Sequence, residues 1–394
     1  DIPYGGKLSE IPSINPITGY SGAWKASELA WVYDANSGEY LNIYRDININ
    51  AVYTKNSYRI IYDDGESITE QLVKYEDTIT LLLPEDSSVK QFLFWTQDGV
   101  SRFELSTMPA NDISLTAKWF RFEYIYDEAK DAYIVRPSSD NEIYDLPIAI
   151  PSRHLDKPVY KIADNAFSGK PVTAITLTDS ILEIGQSAFE NSAIEEIVLG
   201  DNLAIIRKDA FKNSALIDIS FPQNMELIGE SSFEGCNNLT LIDIVIDINA
   251  IDKYAFKNAE NLRKVKITSP DGAAAYGILA QGVFQNCYSL FDVILPVEVD
   301  TIKESAFKNC YNLAAIDLSF VEYFESSSFQ NCQSLQQINL SNAISVGDYA
   351  FNNCVNINNI YTLNNEVMNT IGECAFYGCA ELAGFVLPAT VKNI

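Results

Sequence analysis

Histidine is almost missing from this sequence. His154 is the only one in 394 residues, so any Ser–His or Cys–His nucleophile, or any His-ligated metal, would have to be built on it. It falls in Ser152-Arg153-His154-Leu155-Asp156-Lys157, which is expected to be a solvated surface loop. No Gly-x-x-x-x-Gly-Lys-[Ser/Thr] or Gly-x-Gly-x-x-Gly phosphate loop is present, and no Cys-x-x-Cys. These gaps leave no basis for a cofactor and point away from an enzyme. Basic residues are also scarce, 27 against 53 acidic ones. The imbalance holds in both parts, with 9 basic and 17 acidic residues in 1–119 and 18 and 36 in 120–394. No basic footprint therefore marks a nucleic-acid or anionic-membrane partner. No apolar run approaches the ~18–20 residues of a membrane span. Neither a signal peptide nor an initiating Met opens the sequence, so targeting and anchoring segments are expected outside it.

What the sequence has in quantity is repetition. Ile302-Lys303-Glu304-Ser305-Ala306-Phe307-Lys308-Asn309-Cys310 is one of ten variants of Ile-x-x-x-Ala-Phe-x-Asn-Cys. The phenylalanines are Phe167, Phe189, Phe211, Phe233, Phe256, Phe284, Phe307, Phe329, Phe351 and Phe376. They are spaced by 22, 22, 22, 23, 28, 23, 22, 22 and 25 residues, the period of a solenoid. Such a chain escapes the size limit of a single core because each coil buries its apolar face against its neighbours. Three residues past the cysteine slot a second pattern begins, Leu-x-x-Ile-x-Leu, as in Leu313/Ile316/Leu318 and Leu335/Ile338/Leu340. Its +3 and +5 residues share one strand face and point inward. The Ala-Phe-x-Asn-Cys part has helix-like spacing. The expected fold is a leucine-rich repeat solenoid, with one parallel strand and one short helical or 3-10 turn per 22–23-residue coil. Its Phe residues form an internal ladder. Eleven strands stacked at ~4.8 Å would give a sheet on the order of 50 Å long.

Cys236, Cys287, Cys310, Cys332, Cys354 and Cys379 share one slot of the repeat, which elsewhere holds Lys170, Ser192, Ser214 and Ala259. Buried thiols acting as small hydrophobes are expected there, and free ones, since parallel stacking points them alike. Cys374 lies outside the slot.

The consensus, with Ile184-Gly185, Ile228-Gly229, Ile371-Gly372 and the Leu295-Pro296 and Leu387-Pro388 steps, resembles the BspA-like leucine-rich repeat family over residues 148–394. The resemblance implies a bacterial surface location and adhesion to host proteins, cells or other bacteria. Residues 120–161 read as an N-terminal cap, with a hairpin around Asp127–Asp131, and 162–394 as about ten repeats with the last coil cut short.

Residues 58–119 form a small β-rich module. Strands are expected at Tyr58-Arg59-Ile60-Ile61-Tyr62, Thr78-Ile79-Thr80-Leu81-Leu82-Leu83-Pro84, Phe92-Leu93-Phe94-Trp95 and Asp112-Ile113-Ser114-Leu115-Thr116-Ala117-Lys118-Trp119. The last of these is matched by Asp46-Ile47-Asn48-Ile49-Asn50-Ala51-Val52-Tyr53, while Ile2-Pro3-Tyr4 and Pro16 line up with Val73-Lys74-Tyr75 and Pro84. Residues 1–57 thus read as a partial copy. Both resemble the Listeria–Bacteroides repeat, the B-repeat of internalin-type surface proteins, which implies β-grasp-like modules in an extracellular stalk.

Candidate ligand-facing residues are the outward +2 and +4 positions of the Leu-x-x-Ile-x-Leu strands. They include Glu196, Val198, Asp218, Asp243, Lys264, Lys266, Asp292, Ile294, Asp317, Asn339 and Tyr361, with Val386 beyond them. Acidic rungs suit a basic partner, and Ile294 and Tyr361 could anchor a contact. An ordinary polar face explains the same pattern. Asp243 and Asp247 are candidates to hold calcium, or simply the wet side of a strand. The extra residues at 270–277 are either a binding loop or a tolerated one.

The function expected is therefore that of a non-enzymatic, cell-surface or secreted adhesion protein whose partners are host, bacterial or matrix proteins. The alternatives are a spacer presenting another domain and a glycan-binding or glycan-cleaving protein.

Overall fold

The computed structural model describes residues 17–26, 32–34, 39–41, 49–142, 144, 146–271, 276–362, 365–384 and 386–392. Ile2-Pro3-Tyr4, Pro16, Asp46–Asn48 and the middle of the 270–277 insertion lie outside them. The chain forms two compact units, Asp1–Asp86 with Phe92–Trp119, and Ser87–Gln91 with Phe120–Ile394.

In the first unit, strand Ser57–Asp63 pairs antiparallel with Ile68–Lys74 and parallel with the Ile113–Thr116 part of a long strand. Alternation buries Ile60, Tyr62, Ile113 and Leu115 with Trp95 in one small core. Residues 78–84 do not form the expected strand. Apart from an isolated bridge of Thr78 to Thr107, the segment runs unpaired. Its carbonyls serve side chains instead: Trp95 Nε1 donates to Leu82 O (2.7 Å) and Gln71 Nε2 to Thr80 O (3.2 Å). Leu83 is left facing solvent. Strand Tyr20–Ala26 pairs antiparallel with Ile49–Lys55.

The second unit is a β-solenoid of about ten coils. Each coil has three sides. On the Ile side, two- to six-residue strands pair in parallel, as in Lys161-Ile162, Glu183-Ile184, Ile205-Ile206 and Leu227-Ile228. The register resumes through Leu279, Ile302, Phe324, Val346 and Ile371. On the Leu side, Ile148, Ile175 and Ile197 align, then Ile242, Val265 and Val293, then Ile338 and Ile360. Strand Ala132–Pro137 pairs in parallel with Lys157–Ile162 on one side and antiparallel with Phe122–Asp127 on the other, so it covers the first coil of the Ile-side sheet.

The third side corrects an expectation: it is not helical. Each Phe is flanked two residues before and two residues after by left-handed backbone, as at Ser305 (φ 58°) and Asn309 (φ 65°), or Ser187 (51°) and Asn191 (55°). Left-handed residues cannot continue a right-handed helix. The Phe N–H is therefore turned outward to the next coil: Phe189 N donates to Ala210 O (2.7 Å) and Phe307 N to Ser328 O (2.8 Å). Backbone bonds thus bind coil to coil on this side too. Asparagine suits the second position because it tolerates this backbone. Its amides form a ladder of their own, Asn309 Nδ2 to Asn286 Oδ1 and Asn331 Nδ2 to Asn309 Oδ1, both 2.7 Å. The one helical element among the described residues of the solenoid is a 3-10 turn at Ile248–Ala250.

Inside, the ten Phe rings stack face to face with centroids 5.0–5.7 Å apart, from Phe167–Phe189 to Phe351–Phe376. The cysteine slot does more than fill space. Each thiol donates to the carbonyl of the preceding coil's Phe, for example Cys310 Sγ to Phe284 O and Cys332 Sγ to Phe307 O, both 3.2 Å. All seven cysteines are free. Burial pushes the Cys236 thiol up to about 12 and Cys310 well above its usual value. A brief maleimide pulse on native protein is therefore expected to label exposed Cys374 first and half-buried Cys379 more slowly. Cys236, Cys287, Cys310, Cys332 and Cys354 should react only on unfolding, since the thiolate is the reactive form. Peptide mass spectrometry reads the order, and native labelling of Cys310 as fast as Cys374 would contradict it.

Candidate functional site

The outward face of the Leu side carries the residues singled out from the sequence. Val198 (58% exposed), Ile294 (53%) and Tyr361 (40%) are open apolar groups on a polar surface. Glu196, Asp218 and Asp317 are exposed, while Asp292 and Asn339 are half-buried. In the middle of the face the charges neutralise one another. Lys266, between Asp243 and Ile294 in register, bonds Asp243 (3.3 Å), and Lys264 bonds Asp292 (3.1 Å). Asn339 and Tyr361 occupy adjacent rungs further along.

Asp243 and Asp247 make separate contacts. Asp243 faces Lys266 on the strand, whereas Asp247 caps the 3-10 turn by accepting from Asn249 N (2.9 Å) and Nδ2 (3.0 Å). Among the described residues no group of three or more His, Cys, Asp or Glu side chains is disposed to hold a metal ion. Asn249 in turn ties the insertion down, donating to Tyr276 O and accepting from Ile278 N.

Two coils, around 217–219 and 315–317, contribute no strand to the Leu-side sheet and divide it. In each, an aspartate takes a nearby backbone N–H for itself: Ile219 N bonds Asp218 Oδ1 (2.8 Å) and Ser319 N bonds Asp317 Oδ1 (2.9 Å). A carboxylate competing for local amides is a known way to interrupt regular structure. The first division opens a cleft of about 280 Å³ between Glu196–Val198 and Ile217–Asp218. Among the described residues, no lysine or arginine lines this cleft beside Glu195, Glu196 and Asp218. Asp317 stands at the second division beside exposed Val297 and Phe320.

His154 is not a solvated loop residue. Pairing of Arg153 with Pro158 and His154 with Lys157 folds the segment back on itself. The imidazole lies flat on Tyr124 (4.0 Å, 6°) and against the edge of Tyr133, with Nδ1 3.0 Å from Ser88 Oγ. Burial holds its pKa below the ordinary value, favouring the neutral ring. Among the described residues, the hydrogen-bond partner of the ring is Ser88 rather than a carboxylate.

A hollow of about 700 Å³ lies on the Ile side, where sequence reasoning did not look. Its floor is Tyr160, Leu182, Ala204 and Ile205, and small Ala204 between Leu182 and Glu226 makes the depression. One wall carries Ser180, Asn202 and Asn224, each 22 residues from the next; that period in polar residues was the signal available in the sequence. The opposite wall carries Glu183, held by Lys161 Nζ (2.9 Å) and Arg207 Nε (3.0 Å). Burial pushes the Glu183 carboxyl up, but the bonds and charges of Arg207 and Lys161 outweigh it and hold it below the usual carboxylate range.

A parallel β-solenoid of 22–23-residue coils with an inner Phe stack defines a leucine-rich repeat protein. Residues 160–272 and 277–394 match the family described as BspA type Leucine rich repeat region (6 copies), and the chain belongs to that family. No curated protein sequence matches it. Among solved structures it is similar to a leucine rich repeat protein of T. pallidum, 29% identical over 49% of this chain and 87% of that one, with a TM-score of 0.41. A leucine rich cell surface protein of Faecalibacterium prausnitzii is 18% identical over 61% of this chain and 92% of its own, with a TM-score of 0.29. Pneumococcal vaccine antigen PcpA is 18% identical over 70% and 91%, also with a TM-score of 0.29. No helix among the described residues is long and apolar enough to cross a membrane.

Proposed function

We propose that the protein is a non-enzymatic adhesion protein, displayed on or secreted from a bacterial cell, that holds protein partners on the outward Leu-side face. One observation carries this reading. At the first division of that face, exposed Val198 and Ile217 flank a cleft rimmed by Glu195, Glu196 and Asp218, with no lysine or arginine among the described residues that line it. Apolar anchors inside a charged rim are how protein interfaces divide the work of affinity and orientation. Membership of the BspA-type family supports it.

Residues 58–119 serve, in this reading, as a B-repeat-like module of an extracellular stalk. The parallel pairing of Ser57–Asp63 with the Ile113–Thr116 end of the last strand, beside an antiparallel first hairpin, supports a β-grasp-like module.

The test is attachment of the protein to immobilised matrix proteins, host cells and bacteria. Asp218→Lys and Asp317→Lys are the informative variants, because neither breaks an ion pair among the described residues, whereas reversing Asp243 would strand Lys266. Binding is expected to fall about tenfold or more in Asp218→Lys, a loss of roughly 1.4 kcal/mol, and to weaken with salt. Equal attachment by the protein and by residues 1–119 alone would leave only a spacer role.

A further inference from the structure

The Ile-side hollow has a composition unlike the rest of the chain. Two cations, Lys130 and Arg207, and two anions, Glu183 and Glu226, face it, so its lining is electrically neutral in a protein of net charge −26. At about 700 Å³ it is within the range of small-ligand sites, ~300–1,000 Å³. We propose that it binds a short neutral oligosaccharide, lying across the coils.

Three features favour this class. First, the uncharged wall offers both donors and acceptors. The Nδ2 of Asn202 is committed to Asp179 O (3.0 Å), which leaves its Oδ1 to accept, while Asn224 offers both functions; Ser180 Oγ donates to Val159 O (2.8 Å) and adds an acceptor oxygen only. Sugar hydroxyls need this mixture. Secondly, the facing wall holds the planar Glu183–Arg207 pair, whose remaining lone pairs and N–H groups suit vicinal hydroxyls without imposing net charge. Thirdly, the floor is apolar between these walls, and Tyr160 and Leu182 offer a surface for sugar C–H faces.

The backbone argues against an extended peptide. Strand addition needs free main-chain groups. On this floor they are spent between coils: Leu182 N on Tyr160 O (2.7 Å), Ala204 N on Leu182 O (3.0 Å) and Glu226 N on Ala204 O (2.8 Å). A polyanion is disfavoured by the field of an acidic chain, and Arg207 is already paired. The polar wall repeats once per coil at roughly 4.8 Å, so successive groups address successive parts of one linear ligand.

The site is separate from the Leu-side face, so either can fail alone. The experiment is titration calorimetry of the whole protein with neutral oligosaccharides from cellulose, xylan, mannan and starch, alongside acidic oligosaccharides and a peptide panel. Saturable binding of a neutral oligosaccharide is expected. Ala204→Leu, which fills the hollow, should abolish it, and Asn202→Ala with Asn224→Ala should weaken it about tenfold. Asp218→Lys should leave it unchanged. Thermal melts establish that each variant is folded; if Ala204→Leu is not, the asparagine pair decides. No neutral oligosaccharide binding, binding that survives these changes, or binding of acidic oligosaccharides or peptides alone overturns the proposal.

Discussion

Phe307→Ala is expected to destabilise the solenoid by about 3–5 kcal/mol, the cost of a large cavity in a core that cannot collapse. Phe307 is fully buried, with ring centroids 5.5 Å from Phe284 and 5.0 Å from Phe329. Removing it empties one rung and breaks two stacked contacts. Phe307→Leu should cost less, because it restores most of the volume and loses mainly the ring-to-ring terms, about 0.5–1.5 kcal/mol per pair. Phe376→Ala should also cost less, since that half-buried ring stacks on Phe351 as the last of the ladder's ten. All four tryptophans precede residue 120, so their emission does not report on the solenoid. Hydrogen exchange of amides around 280–330 does, and it should show local opening spreading from the missing rung, as expected where each coil contacts only its neighbours. Equal protection of Phe307→Ala and the unchanged protein would refute the role given to the stack.

The second large effect concerns a residue that looks dispensable. Gly347→Ala is expected to cost about 1–3 kcal/mol through overpacking. Its backbone does not require glycine, but the space does. A Cβ there would lie 2.8 Å from Glu325 C, 2.8 Å from Ser326 N and 2.9 Å from Phe324 O, all main-chain atoms of the preceding coil. Those atoms cannot move aside without breaking the Gly347 N to Phe324 O bond (2.7 Å). Glu325→Ala, one coil earlier in the same slot, should change stability by less than about 1 kcal/mol. It loses a half-exposed ion pair with Lys303 and an exposed hydrogen bond from Glu304 N (3.2 Å), but creates no overlap with the neighbouring coil. Urea unfolding followed by far-ultraviolet circular dichroism compares the two, and equal costs would remove the close-approach explanation of the Ile-Gly step.

The sequence was most legible where one residue type repeats for one physical reason. Phe at a 22-residue period, Ile on the strand before it and Leu-x-x-Ile-x-Leu after it report burial directly, and burial depends on little beyond side-chain size and polarity. It was least legible where backbone geometry decides. Ala-Phe-x-Asn-Cys has the spacing of a helical turn, yet left-handed residues at both ends redirect its N–H groups to the next coil. Nothing in the identity of Tyr349 or Cys374, which occupy the first of those positions with φ of 57° and 53°, announces that conformation.

The functional residues divide in the same way. Alternation along a strand is local, so it assigned Glu196, Val198, Asp218 and Ile294 to an outward face. Which charges on that face remain uncompensated is a matter of register between coils. Register pairs Asp243 with Lys266, 23 positions away, and gives Asp218 no ion pair among the described residues. His154 became part of an aromatic stack only because its segment folds back onto Tyr124. The hollow on the Ile side needed Ser180, Asn202 and Asn224 from three coils, Ala204 between larger neighbours, and a Glu183–Arg207 pair across from them. By itself, then, the sequence determined the repeat, the buried ladder and the family, because each follows from periodic burial. The tertiary structure decided which surfaces are open and how they are charged, because those depend on which coil lies beside which.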